Sequence, residues 1–181
     1  IAKSWLIKNG WSEGEKIICV MVRDDAYLST SNWRYHSYRN GDISAYVPAL
    51  ELLANMGYWV IRMGRVMNTP LSLNHKKIID YAANGLQSDF MDIFLGANCM
   101  FCISNGSGFD AVPYIFRKPI VFIDHVPLKI ISTYSNKFLI TTKKIKLCTE
   151  DRLLTFKEII DSGLGDLHGI NQRIATTNDI E

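Results

Sequence analysis

The chain alternates short, wholly apolar runs with longer amphipathic ones. "KIICVMV" at 16–22 is continuous and rich in β-branched residues, the pattern of a strand buried on both faces. "YWVIRMG" at 58–64, "KKIIDYA" at 76–82, "MFCIS" at 100–104 and "PIVFID" at 119–124 predict strands two to five. Helical spacings lie between them. Asp42 can cap a helix whose Ile43, Val47, Leu50 and Ala54 share one face up to Gly57, with Pro48 denting its early part. Ser88 or Asp89 can cap a second helix that turns Phe90, Ile93, Phe94 and Ala97 inward, and "FDAVPYIFR" allows one or two turns. Further on, "KKIKLC" predicts a weak strand and "TFKEIIDSG" a capped helix ending at Gly163. At the start, "IAKSWLIKNG" predicts a helix ending on Gly10, a linker over 1–14 that leads into one domain over 15–181.

Strands that alternate with helices and are apolar throughout predict an α/β fold: a Rossmann-like open parallel sheet with helices on both faces. In such sheets ligands sit beyond the carboxyl ends of the strands. Strand one runs into Arg23, Asp24 and Asp25, strand two into Arg62 and Gly64, and strand three into Asp80. Strand four runs into Ser104, Asn105, Gly106, Ser107 and Gly108, and strand five into Asp124 and His125. An Arg62–Asp80 ion pair or a structural His125 explains any one position easily. The whole polar rim is harder to explain that way.

The Gly/Ser turn carries the chemistry of a pyrophosphate cradle. Glycines let the backbone approach a ligand, and amides at the next helix start carry partial positive charge. Ser104, Asn105 and Ser107 add neutral donors. Gly106, Gly108 and Ala111 also spell G-x-G-x-x-A, with Asp124 closing the next strand, which mimics a dinucleotide fingerprint. A helix of only about eight residues before Lys118 and Pro119, and a position at strand four, count against that reading. The loop "NWRYHSYRNGD" sets Trp33, Tyr35 and Tyr38 among Arg34, His36 and Arg39, aromatics to stack a ring and arginines to grip phosphate.

Composition narrows the field. With 181 residues, 48% hydrophobic and 21% charged, the chain can bury a sizeable core. A formal charge of +2 gives no broad grip on nucleic acid or anionic lipid. No apolar run is long enough to span a bilayer, and no secretory signal stands out. Cys19, Cys99, Cys102 and Cys148 sit mostly in apolar company. Cys99 and Cys102 form a lone C-x-x-C, a zinc half-site or redox pair by pattern, but with no second pair to complete a zinc set, so buried thiols are expected there, in a cytoplasmic setting. The start at Ile1 and the close on "TTNDIE" read as a piece of a longer protein lacking an N-terminal domain.

The stretches "VRDDAYL", "YHSYRN", "GYWVIRMG", "IIDYA", "SDFMDIFL", "ISNGSGFD" and "FRKPIVFI", in this order, resemble a family of bacterial proteins classed by prediction as glycosyltransferases and found with surface-polysaccharide genes. The resemblance covers 17–128. More remotely, the layout is similar to the donor-binding half of GT-B enzymes such as heptosyltransferases, where Ser107-Gly108 and Lys118-Pro119 match a late "SG" turn and a "K-P-V" strand. Arg23 is placed like the arginine that holds donor phosphate in fucosyltransferases of related shape. Asn105 and Gly106 before that turn, and Phe109 and Asp110 after it, depart from the heptosyltransferase pattern. The resemblance implies transfer of a sugar from a nucleotide-diphosphate sugar to a hydroxyl of a glycan or lipid-linked acceptor, in the cytoplasm or peripheral to the inner face of the membrane. It implies Arg23 and Asp24 as catalytic residues, with Asp110 and His36 as further candidate bases. Donor binding falls to Arg39, Arg62, Ser104, Asn105, Gly106, Ser107, Gly108 and Asp110. No cofactor or metal is expected, since arginines and amides can neutralise the leaving diphosphate and no D-x-D triplet occurs. A non-catalytic nucleotide-sugar-binding or scaffold module is the alternative, and a dinucleotide-binding oxidoreductase domain a lesser one.

Overall fold

The computed structural model describes residues 1–26, 34–85 and 87–166. Five helices, α1 (Ala2–Lys8), α2 (Val47–Asn55), α3 (Asp89–Asn98), α4 (Ala111–Ile115) and α5 (Phe156–Asp161), are described. Six strands form one sheet: β1 (Ile17–Met21), β2 (Trp59–Arg62), β3 (Ile78–Asp80), β4 (Phe101–Ser104), β5 (Ile120–His125) and β6 (Phe138–Thr142). Their order is β3-β2-β1-β4-β5-β6, and every pairing is parallel. This is an α/β Rossmann-like sheet. Its order reverses between β1 and β4, where Met21 lies level with Ser104.

Alternate residues of β1 enter two separate cores. Ile18 and Val20 pack with Leu50, Ala54 and Val60 under α2. Ile17 and Cys19 pack on the opposite face with Leu6, Met91, Leu95 and Cys102, under α1 and α3. Fully burying a side chain such as Leu50 or Leu95 stabilises the fold by about 1.5–3 kcal/mol. α1 is packed into this core through Ala2 and Leu6, and Trp5 meets Tyr81 edge-on at 5.8 Å. Cys19, Cys99 and Cys102 are buried free thiols, whereas Cys148 is exposed.

Several elements differ from their sequence expectation. The helix expected from Asp42 is a 3₁₀ turn, Ile43–Tyr46, followed by α2; Pro48 sits in the first turn of α2, where a missing N–H costs nothing. In α3, Phe90 and Ile93 are 56% and 50% exposed, and Met91, Leu95 and Gly96 face inward instead. The reason is the seam with α4: a Cβ on Gly96 would stand 2.7 Å from Val112 Cγ1, so this stripe has to be the close-packed one. Strand β6 was not expected, and "KKIKLC" contributes only β7 (Lys146–Leu147), paired antiparallel with β8 (Arg152–Leu153). No described helix is long and apolar enough to cross a membrane.

Candidate functional site

At the reversal point the chain leaves β1 through Val22 and Arg23, and leaves β4 through Asn105. Asn105 is 2% exposed, and its amide joins two distant segments. Its Oδ1 accepts from the Arg23 N–H at 2.8 Å, and its Nδ2 donates to the Arg39 carbonyl at 3.1 Å. The Gly41 N–H closes the arrangement by donating to the Arg23 carbonyl at 2.9 Å. A side chain at Gly41 would come within 2.7 Å of Asn105 Nδ2 and 3.0 Å of Val22, so glycine is required there. Just after β6, Lys143 Nζ donates to the carbonyls of Tyr38 and Asn40. The backbones of Arg23 and Arg39 are thus fixed side by side.

Beyond them opens a cavity of about 530 Å³. Its walls come from the end of β1 (Met21 to Asp24), the segment after β2 (Met63 to Met67), Arg39, and the turn after β4 (Gly106 to Phe109). That volume lies within the range of small-molecule sites. Neither Arg23 nor Arg39 makes an ion pair among the described residues. Burial, and then the charge of Arg39, draw the Arg23 guanidinium below its ordinary pKa. The charges of Tyr38 and Asp25 act against that lowering, and Arg39 Nη2 donates to the Gly106 carbonyl at 3.0 Å, which ties this guanidinium to the turn after β4. Two neighbouring cations with no contact ion pair favour an anion between them. On the far wall Arg65 is paired with Asp89 at 2.9 Å, and burial raises the Asp92 carboxyl against the opposing pull of Tyr81 and Arg65.

The turn itself is only partly available. Gly106 N–H donates to Ser104 Oγ, Ser107 N–H to Asp110 Oδ2, and Phe109 N–H to Ser107 Oγ. Gly108 N–H makes no hydrogen bond among the described residues. Gly106 has φ +94°, a left-handed conformation that favours glycine. Ser107 and Asp110 form a capping box, so Asp110 braces the turn and lies outside the large cavity. Burial pushes Asp110 up to about 6, against the lowering effects of Ser104 and Ser107.

These positions sort the residues expected from sequence. Arg23, Asp24, Arg39, Arg62, Gly106, Ser107 and Gly108 line the one cavity. Four roles change. Ser104 and Asn105 are buried and bonded within the protein, so they scaffold the site rather than donate to a ligand. Arg62, 2% exposed, gives its Nη1 to the Thr69 carbonyl at 2.7 Å and to Asp80 at 3.3 Å, which fixes the loop after β2. Asp24 accepts from Ala26 N–H at 3.0 Å and Asn68 N–H at 2.8 Å, so its carboxylate fastens two loops and is not a free base. Asp124, the acid of the dinucleotide pattern, is exposed and lines no part of this cavity. Trp33, and the side chains of Arg34, Tyr35 and His36, lie outside the described residues. Among the described residues no three His, Cys, Asp or Glu side chains are grouped to hold a metal ion.

The contributions of Met63, Arg65, Asp92 and Phe109 were not anticipated. Arg65 and Met63 had a visible signal, since they flank Gly64 just after β2. Asp92 had none, because an acid in the first turn of a helix is ordinary. Compared with known proteins, the chain matches no family model, no curated protein and no solved structure.

Proposed function

We propose that this domain binds the diphosphate of a nucleotide sugar at the reversal point of the sheet and serves as the donor-binding part of a glycosyltransferase. The observation that carries the reading is the pair of guanidiniums, Arg23 and Arg39, neither in a contact ion pair among the described residues, in the wall of a cavity of about 530 Å³ that Gly108 also lines. Guanidiniums bind phosphate oxygens through paired N–H donors. The sequence resemblance given above supplies the class of donor.

In the reaction this implies, an acceptor hydroxyl oxygen bonds to the anomeric carbon as the bond from that carbon to the β-phosphate oxygen breaks. The bonding electrons leave on the nucleoside diphosphate, and the hydroxyl proton passes to a base. Arg23 and Arg39 would neutralise the growing phosphate charge, and the single free amide of Gly108 would add one donor. Met21, Met63 and Met67 in the lining are apolar neighbours that would strengthen such electrostatic contacts by keeping water away.

The test is to incubate the protein with a panel of nucleotide sugars and follow nucleoside diphosphate release by chromatography. Release that depends on Arg23 supports transfer. Nucleotide binding without release from any donor would assign a binding module instead, and absence of both would end the proposal.

A further inference from the structure

A second cavity, of about 280 Å³, lies on the other side of the turn after β4. It shares Arg39, Gly106 and Ser107 with the first, so that side chain and that turn form a common wall. Its other walls include Tyr114 from α4, Phe122 and His125 from β5, and Tyr134 and Phe138 from the segment leading into β6. The aromatic rings brace one another: Tyr114 and Tyr134 at 4.9 Å, Phe122 and Phe138 at 5.6 Å, both edge-to-face.

Polar atoms around this space are left without partners. His125 is 6% exposed, yet neither Nδ1 nor Nε2 makes a hydrogen bond of normal geometry. Asp110 Oδ1 and Arg39 Nε are also buried and unpaired, and both residues line the same cavity. Buried polar groups in folded proteins are almost always bonded, so several around one space indicate something that bonds to them there. The volume exceeds that of a single water. Aromatic walls suit the face of a ring, and unpaired donors and acceptors suit its polar edge. Burial lowers the His125 pKa, the Ile130 backbone acts against this and the charge of Arg39 adds to it, which favours the neutral imidazole.

We propose that the second cavity receives a polar-edged ring attached to a phosphate held at Arg23 and Arg39. This rests on the reading of the first cavity as a diphosphate site. Such a ring comes from one of two ends of the ligand, the base of the nucleotide or the transferred sugar. Either offers hydroxyl, carbonyl or N–H groups to His125, Asp110 and Arg39.

Calorimetric titration of the whole protein with three ligand sets tests it: inorganic pyrophosphate, a panel of nucleoside diphosphates, and a panel of hexose 1-phosphates, with inorganic phosphate as the reference for the last. The variants are His125→Gln and Tyr134→Ala; Tyr134 is 65% exposed at the rim, so its truncation spares the core. The expected result is that one ring-bearing series binds at least about tenfold tighter than its ring-free anion, and that both variants abolish this excess while pyrophosphate affinity stays unchanged. An excess confined to nucleoside diphosphates assigns the base; one confined to hexose 1-phosphates assigns the sugar. If pyrophosphate binds but a ring adds nothing, or the excess survives both variants, the inference is overturned while the diphosphate site stands. If neither pyrophosphate nor any ring-bearing anion binds, both fall.

Discussion

Replacing Asn105 with alanine should loosen the site from behind without touching a ligand. The substitution removes the acceptor for Arg23 N–H and the donor to the Arg39 carbonyl, bonds of 2.8 and 3.1 Å. Leaving a buried backbone group unpaired costs about 1–3 kcal/mol. Both groups are only part-buried, so water recovers some of that, and a loss of about 2–4 kcal/mol is expected for the pair. Asn105→Asp is the informative control: it keeps an acceptor for Arg23 N–H but sets a carboxylate oxygen against the Arg39 carbonyl, and so should not restore stability. Urea unfolding followed by tryptophan fluorescence reads the difference as a shift in midpoint at constant slope. An Asn105→Ala protein within about 0.5 kcal/mol of wild type, the size of an ordinary surface change, would refute the scaffolding role.

Gly108→Val should leave the melting temperature unchanged, because a Cβ there meets nothing within 4 Å, yet weaken nucleoside diphosphate binding at least about tenfold by filling the cavity mouth. Parallel thermal shift and calorimetry would show it. Gly96→Ala should cost about 1–3 kcal/mol in chemical unfolding through the clash with Val112, and adding Val112→Ala should recover most of the loss. Asp110 holds its proton to about pH 6, above the unfolded carboxyl, so the unfolded chain binds fewer protons between pH 4 and 6 and stability falls as pH rises through that window. Relative to Asp110→Asn the wild type should lose up to about 3 kcal/mol from pH 4 to 7 in unfolding experiments; parallel pH profiles would contradict this.

Buried strands were the most legible part of the chain. β1, β2, β4 and β5 are continuous apolar runs, which nothing but the middle of a covered sheet accommodates. β6 was missed because it is an edge strand of three apolar residues and two threonines between lysines, with Leu139 pointing to solvent. The face of α3 was misread because Phe90 and Ile93 carry the bulk, while the inward position is decided by the small Gly96 against α4, a partner invisible from spacing. Arg23 and the 104–108 turn could be found because the fold places ligands after strands. The roles of Asn105 and Ser104 could not. Asn105 bonds to residues 82 and 66 positions away, and only the folded chain tells a donor facing a ligand from one facing the backbone. The Arg62–Asp80 ion pair, by contrast, was open to a sequence reading because both residues end strands, and the β2–β3 register sets the two side by side.

The central claim is that Arg23 and Arg39 form one anion site. Calorimetric titration of nucleoside diphosphate into the wild type and into Arg23→Ala and Arg39→Ala tests it most directly. Each substitution should weaken binding about tenfold or more, since a hydrogen bond to a charged group contributes about 1.5–3 kcal/mol. The wild-type affinity should also fall as salt rises. Equal affinity in all three proteins, or binding indifferent to salt, would contradict it.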